Sequence, residues 1–309
     1  MNIRWSAPLA LLFATSLSAA TQGGGACTRT AKAAMTACHH EAEDDFWIAV
    51  GNCNNLVRPA ARAECMEEAS EARKEARGEC RAQLEARLKV CGLLGEAPYA
   101  PRIDPAQFVD PSDIGKSVAA NPYFPLNPGR RVVLRGGGER IEITVTGETT
   151  EILGVTCAVV RDIAMEEGEL TEDTLDWFAQ DVHGNVWYFG EISQEFEDGE
   201  LVSLDGSWKA GIDGAKPGII MKAAPAVGDV YRQEFALGEA EDLGKVLSLT
   251  ASATVPAASC NNNCLVIRDF SPLEPDAPRE NKYYAPGIGL ILERNLDSGE
   301  RLRLTEIHP

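Results

Sequence analysis

DWFAQDVHGNVWYFGE, from Asp176 to Glu191, has a shortened echo in KYYAPGIGLILER, from Lys282 to Arg294. A matching strand precedes each run: CAVVRD (Cys157 to Asp162) before the first and CLVIRD (Cys264 to Asp269) before the second. The two strands are offset by 107 residues and the two aromatic runs by 106, so one order of elements recurs at nearly constant spacing. The reading that follows is one β-rich domain made of two related halves.

Working outward, Arg131 to Arg135, Ile141 to Thr146, Cys157 to Arg161, Trp177 to Asp181 and Val186 to Ile192 read as successive strands separated by Gly-rich or acidic turns. His183, Gly184 and Asn185 supply a tight hairpin turn. The second half repeats the scheme with Val230 to Phe235, Val246 to Ala251, Cys264 to Arg268, Lys282 to Ala285, Leu290 to Arg294 and a closing Arg301 to Ile307. Short turns and few helical signals between these segments argue for an antiparallel sheet. In Val186 to Ile192 both faces are apolar, which a sandwich or a curled half-barrel satisfies.

Upstream the periodicity changes. Ala31 to Ala49 and Ala60 to Val90 are rich in Ala, Glu, Arg and Lys and contain no proline, so both read as helices. Gly51 is placed to stop the first, Pro59 to start the second and Gly92 to end it. Cys27, Cys38, Cys53, Cys65, Cys80 and Cys91 are spaced 11, 15, 12, 15 and 11 apart, a palindrome in which the numbers of nested partners sum to 118. A constant sum is the register condition for two antiparallel segments, and 11 residues of α-helix return to within about 20° of the starting direction. Of the 15 possible pairings this selects Cys27 with Cys91, Cys38 with Cys80 and Cys53 with Cys65. A two-helix hairpin encloses little core: Phe46, Trp47, Ile48, Leu56, Leu84 and Leu88 are nearly all its large apolar groups, and crosslinks replace the missing burial. Of the remaining cysteines, Cys260 and Cys264 are expected to close a small loop, leaving Cys157 buried and free.

The expected fold class is α+β. A signal peptide (residues 1–20) carries Arg4 and an apolar segment, Ala7 to Leu17, too short to span a bilayer. A disulfide-clamped helical hairpin (27–95) follows, then a Pro-rich linker or strap (96–120), then the duplicated antiparallel β domain, half-barrel or sandwich (121–309). Seven of the 17 prolines fall between Pro98 and Pro128, but Tyr99, Ile103, Phe108, Tyr123 and Phe124 are too apolar for a free tether, which favours partial docking. No later stretch has 18 uninterrupted apolar residues, so no membrane span is expected, and the nine cysteines with an export signal place the chain as secreted or periplasmic.

The formal charge of −18 lies almost wholly beyond residue 95, where 18 basic residues face 36 acidic ones. A field of that sign disfavours nucleic acid and anionic membranes. No GxSxG, HExxH or phosphate-cradling glycine loop is present, and the four histidines form no nucleophile–base pattern, so binding is favoured over catalysis and no catalytic residue is assigned. The first binding reading is an apolar small molecule on the concave face of the sheet, with Trp177, Trp187, Phe189, Tyr283 and Tyr284 as lining. A second is sugar recognition by Trp177, Trp187 and Trp208 beside Asp205 and Glu191. A third is a divalent cation: calcium at Asp205 or Asp213, or a metal gripped in the hairpin by His39 with Glu43, or by His40 with Asp44, each four apart on one helical face. A copper thiolate at Cys157, Cys260 and Cys264 is the remaining alternative to no cofactor. The non-ligand reading is a structural or interaction protein in which the hairpin docks another envelope protein.

NPYFPLNPG from Asn121, GNVWYFGE from Gly184, WKAGIDGAKPGIIM from Trp208 and YYAPGIG from Tyr283 together resemble a family of uncharacterised secreted bacterial proteins, over about residues 121–309. More loosely, the strand order and the apolar-Ala-Pro-Gly-x-Gly turn are similar to envelope carriers with a LolA-like sheet. That resemblance implies a sheet that cups apolar ligands, and it transfers no activity.

Overall fold

The computed structural model describes residues 24–308, so the expected signal peptide lies outside the described residues. Two helices come first, α1 (Ala26–Asn54) and α2 (Pro59–Leu94). Gly51 and Gly92, expected to end the helices, lie inside them. The Cys53 rung beyond Gly51 keeps α1 helical to Asn54, and α2 stops at Gly95, whose φ of 89° only glycine adopts without strain. The three nested disulfides form, Cys27–Cys91, Cys38–Cys80 and Cys53–Cys65, with Cα separations of 5.6, 5.8 and 5.5 Å. Between the helices the buried groups are small: Ala31, Ala34, Ala42, Ala69 and the half-cystines Cys53, Cys80 and Cys91. Most of the hairpin's few large apolar groups lie outside. Trp47 is 63% and Ile48 58% exposed, because alanines let the helix axes approach too closely to enclose an indole. The N-terminus of α1 is closed by Glu96, whose carboxylate accepts from Thr28 N (3.0 Å) and Thr28 Oγ1 (2.6 Å) while its carbonyl accepts from Ala26 N (2.9 Å).

The chain then lays a strap on the sheet. Tyr99 donates its hydroxyl to Pro217 O, Val109 N donates to Gln180 O, and Phe108 packs edge-on against Trp187 and Phe189. Asn121 anchors the far end. Its Oδ1 accepts from Tyr123 N and Phe124 N, and its Nδ2 donates to Gly184 O, all at 2.8–3.1 Å.

Sixteen strands follow: β1 (Arg131–Gly136), β2 (Glu139–Ile152), β3 (Val155–Glu166), β4 (Glu169–Gln180), β5 (Val186–Ile192), β6 (Glu195–Glu197), β7 (Glu200–Ser203), β8 (Trp208–Lys209), β9 (Lys216–Met221), β10 (Val230–Arg232), β11 (Glu234–Phe235), β12 (Leu243–Val255), β13 (Ala258–Phe270), β14 (Glu280–Ala285), β15 (Gly289–Asn295) and β16 (Arg301–His308). They form one antiparallel sheet, ordered β10-β12-β13-β14-β15-β16-β1-β2-β3-β4-β5-β9-β11, with β6, β7 and β8 appended to β4 and β5. The two termini of that ladder belong to one stretch of chain. Val230–Arg232 pairs with β12 and Glu234–Phe235 pairs with β9, so the sheet curls round nearly into a barrel. Gly218 permits this closure, since a Cβ there would lie 2.3 Å from the backbone of Gln233. Within the ladder, β1 to β5 and β10, β12 to β15 are two five-strand meanders in the same order, and β16 joins them. Cys157 sits in the third strand of one, and Cys264 in the third strand of the other.

The hairpin docks beside this barrel. Arg87 of α2, 5% exposed, donates from Nε and Nη2 to the Glu241 carboxylate, 1% exposed, at 2.7–3.1 Å, and Gly238 N donates to the same carboxylate.

Candidate functional site

A cavity of about 270 Å³ occupies the barrel. Its upper wall is apolar, built by Leu126, Val132, Ile141, Ile143, Ile288 and Leu302, with Phe124 of the strap packed edge-on against Phe178. The Phe178 ring stacks on Tyr188 at 4.6 Å. The floor is different: Asp162, Asp176, Asp269, Lys282 and Glu293 point into the same space. Below it lies a second cavity of about 650 Å³ under the C-terminal half of α2, lined by Glu191, Glu234 and Asp242, with Asp269 and Lys282 at the boundary of both.

Register explains why charges face inward. In a strand successive side chains alternate, so with Phe178 inside, Asp176 is inside and Trp177 is outside. Opposite Asp176 on β5 stands Glu191, while Phe178 faces Tyr188; one residue is thus in excess on β5, a bulge at Phe189 and Gly190. Gly190 has φ 132°, and a Cβ there would lie 2.2 Å from Trp208 O, so the bulge needs glycine. The second meander repeats the device. Lys282 faces Glu293 and Tyr284 faces Leu290, leaving Ile291 as the extra residue. The last Asp of each echoed strand, Asp162 and Asp269, completes two matching sets: Asp162, Asp176, Glu191 and Asp269, Lys282, Glu293.

These groups are deep in the protein yet keep a share of their surface on the lumen: 30% for the Lys282 side chain, 18% for Asp269 and 19% for Glu293. Burial raises Asp176 to about 7 despite a hydroxyl donated by Tyr188 at 2.5 Å, and raises Glu191 to about 8 with further repulsion from Asp176. Asp162 and Glu234 are held well above the usual carboxylate range, again mainly by burial, then by Asp176 and Asp242 respectively. Lys282 is held well above an ordinary lysine, chiefly by Asp269 at 3.1 Å and then by Glu293 at 3.9 Å. Burial thus favours the protonated forms of Asp162, Asp176 and Glu191, while Lys282 is the cation paired with Asp269 and Glu293.

Of the residues expected to line a ligand site, Tyr284 reaches the barrel cavity and Glu191 the adjoining one. Phe189 and Trp208 are core, 0% and 6% exposed. Trp187 is pinned under Phe108 and donates Nε1 to Asp181 Oδ2 at 2.9 Å; Trp177 lies on the outer side with Lys209 over its ring; Tyr283 packs on the separate core cluster around Leu304. Of the five aromatics expected to line the concave face, Tyr284 thus reaches the barrel cavity, whereas Trp177, Trp187, Phe189 and Tyr283 do not line it. A shift of one residue in phase exchanges aromatic and charged faces, and the strap covers the aromatic one.

In the hairpin, Glu43 is ion-paired with Arg73 and Arg77, at 3.4 and 3.2 Å, while His40 and Asp44 are exposed. No group of three or more potential metal ligands converges among the described residues. Cys260 and Cys264 form a disulfide, and Cys157 is buried and unpaired, its thiol raised to about 12 by burial. No described helix is long and apolar enough to cross a membrane.

No family model matches the sequence, and no curated protein matches it. Two solved structures are similar in part. One is a protein from Bacteroides fragilis described as exported, with a YmcC-like fold, at 13% identity over 60% of this chain and 99% of that one, TM-score 0.35. The other, from Parabacteroides distasonis, is described as a lipoprotein, at 12% identity over 62% of this chain and 100% of that one, TM-score 0.35.

Proposed function

We propose that the chain is an exported binding protein of the cell envelope or extracellular space, and that its barrel holds a small, partly apolar molecule. The observation that carries this reading is the cavity itself: an apolar wall above and an ionisable floor below, in the middle of a barrel whose other inward positions are packed. Four disulfides suit an oxidising compartment. The two meanders, on this reading, are copies of one template whose inward charged positions were kept.

The test is a fluorescence titration of the full mature chain with the neutral apolar probe N-phenyl-1-naphthylamine. Saturable binding is expected at micromolar concentration, with loss in Ile143→Trp, which fills the cavity at an overpacking cost of about 1–3 kcal/mol. Absence of saturable binding, or equal binding by a folded Ile143→Trp protein, would remove the reading. A second reading assigns partner docking to the hairpin and is favoured by Trp47, Ile48 and Val57, which is 91% exposed, at its tip. If a Trp47→Ser, Val57→Ser protein behaves identically to the parent in crosslinking to envelope extracts, that second reading is withdrawn.

A further inference from the structure

The two matching sets on the floor differ in one residue. Asp269, Lys282 and Glu293 form a satisfied group, with the ammonium 3.1 Å from one carboxylate and 3.9 Å from the other. The corresponding set lies 107, 106 and 102 residues earlier, and there Asp176 stands where Lys282 would be. None of Asp162, Asp176 and Glu191 is in an ion pair among the described residues. Tyr188 satisfies one oxygen of Asp176 and also lies against Glu191; beyond that, Asp162 and Asp176 face the barrel cavity and Glu191 the adjoining lower one.

A second observation lies beside it. Glu234, 7% exposed and lining the lower cavity with Glu191, has an oxygen, Oε2, without a hydrogen-bond partner. The Trp208 indole N–H approaches closely enough to lower the Glu234 pKa, but it too, 6% exposed, lacks a bond of acceptable geometry. A buried carboxylate oxygen without a donor is costly, by about 1–3 kcal/mol or more, unless a ligand or proton answers it. What this side of the floor lacks is a cation paired with its carboxylates, as Lys282 is paired with Asp269 and Glu293.

We propose that the barrel takes a cationic amphiphile, a primary alkylamine or arylalkylamine, with its ammonium among Asp162, Asp176 and Glu191, as Lys282 lies among Asp269 and Glu293, and its apolar part against the wall above. This rests on the barrel cavity being a ligand site. An ammonium suits the set better than a metal ion because the carboxylates do not converge on one point, whereas three N–H donors on a small head can span spaced acceptors. The charged and titratable groups around Asp176 set the proton balance: Asp162 from β3, Glu172 from its own strand, Tyr188 and Glu191 from β5, and Asp269, Lys282, Glu293 and Arg130 elsewhere on the cavity lining. Burial favours the protonated forms of the set. An arriving ammonium favours the carboxylates, and the displaced proton passes to the buffer.

Isothermal titration of the full mature chain with n-octylamine, 1-octanol and octanoate, at pH 7 in phosphate and in Tris, tests this. Octylamine is expected to bind at least tenfold more tightly than octanol, and octanoate more weakly than octanol. The octylamine heat should differ between the two buffers by the ionisation heat of the released proton. Asp162→Asn and Asp176→Asn, each near-isosteric, should reduce octylamine to the level at which the same variant binds octanol. Octylamine binding no more tightly than octanol, or keeping its advantage in both folded variants, would overturn the amine proposal while leaving the apolar cavity reading intact. If none of the three binds, and the naphthylamine probe also fails, both readings fall.

Discussion

Asp176→Asn should remove the loss of stability that Asp176 imposes on the barrel as pH rises through neutrality. Asp176 is raised from 3.8 to about 7 in the folded chain, mainly by burial. A group with a raised folded pKa binds its proton more tightly when folded. Its contribution is fully present below the unfolded pKa and is lost as pH rises through the folded one, here between about pH 4 and 8. Three units correspond to about 4 kcal/mol at 1.36 kcal/mol per unit. The side chain borders a cavity, and solvent screening there cuts that figure to roughly 2 kcal/mol. Asparagine keeps an acceptor for the Tyr188 hydroxyl and cannot ionise, so the variant should match the parent only below about pH 4, and its advantage should grow from pH 5 upward to about 2 kcal/mol near pH 8. Urea unfolding at pH 5, 6, 7 and 8, followed by tryptophan fluorescence, reads this directly, since Trp177, Trp187 and Trp208 all belong to the barrel. Parallel curves for parent and variant, or a parent that gains stability from pH 5 to 8, would refute the assignment of Asp176 as a buried proton holder.

Three further outcomes follow from the packing. Arg87→Ala leaves Glu241 buried without its partner and should cost about 3–5 kcal/mol, whereas Arg87→Met with Glu241→Leu should recover most of that; thermal unfolding of the single and double variants distinguishes them. Removing any one of the three hairpin disulfides by Cys→Ser pairs should cost nearly the same, about 3 kcal/mol, despite sequence separations of 64, 42 and 12, because the remaining rungs shorten the loop each one closes. A steep rise with separation would contradict the ladder. Cys157, 0% exposed and raised to about 12, should resist iodoacetamide at pH 8 in the native chain and react once unfolded, as peptide mass mapping would show.

Much of this architecture can be read along the chain, for reasons specific to its parts. A rung needs only spacing, and the palindrome of six cysteines carries both partner and register. Val186–Ile192 is bounded by a glycine turn and apolar on both faces, so its limits coincide with those expected. The floor is harder to see. Asp162 and Asp269 end the two echoed strands and so were visible as a repeat, but which way they point depends on the bulges at Gly190 and Ile291, which shift the phase of the partner strand. The aromatics were assigned to the concave face because apolar residues are expected inside; here the outer face is also covered, by Phe108 over Trp187 and Phe189. The contacts that dock the pieces, Glu96 on Thr28 and Arg87 on Glu241, span 68 and 154 residues, and no local pattern announces them.

The central claim is that the barrel encloses room for an apolar group directly above a floor of carboxylates. A crystal of the mature chain pressurised with xenon addresses it most directly, since xenon enters apolar cavities and is located by its anomalous scattering. A xenon peak is expected between Val132, Ile143 and Leu302, in the cavity that Asp162 and Asp176 also line. A barrel filled by its own side chains at that place, with no xenon bound, would contradict it.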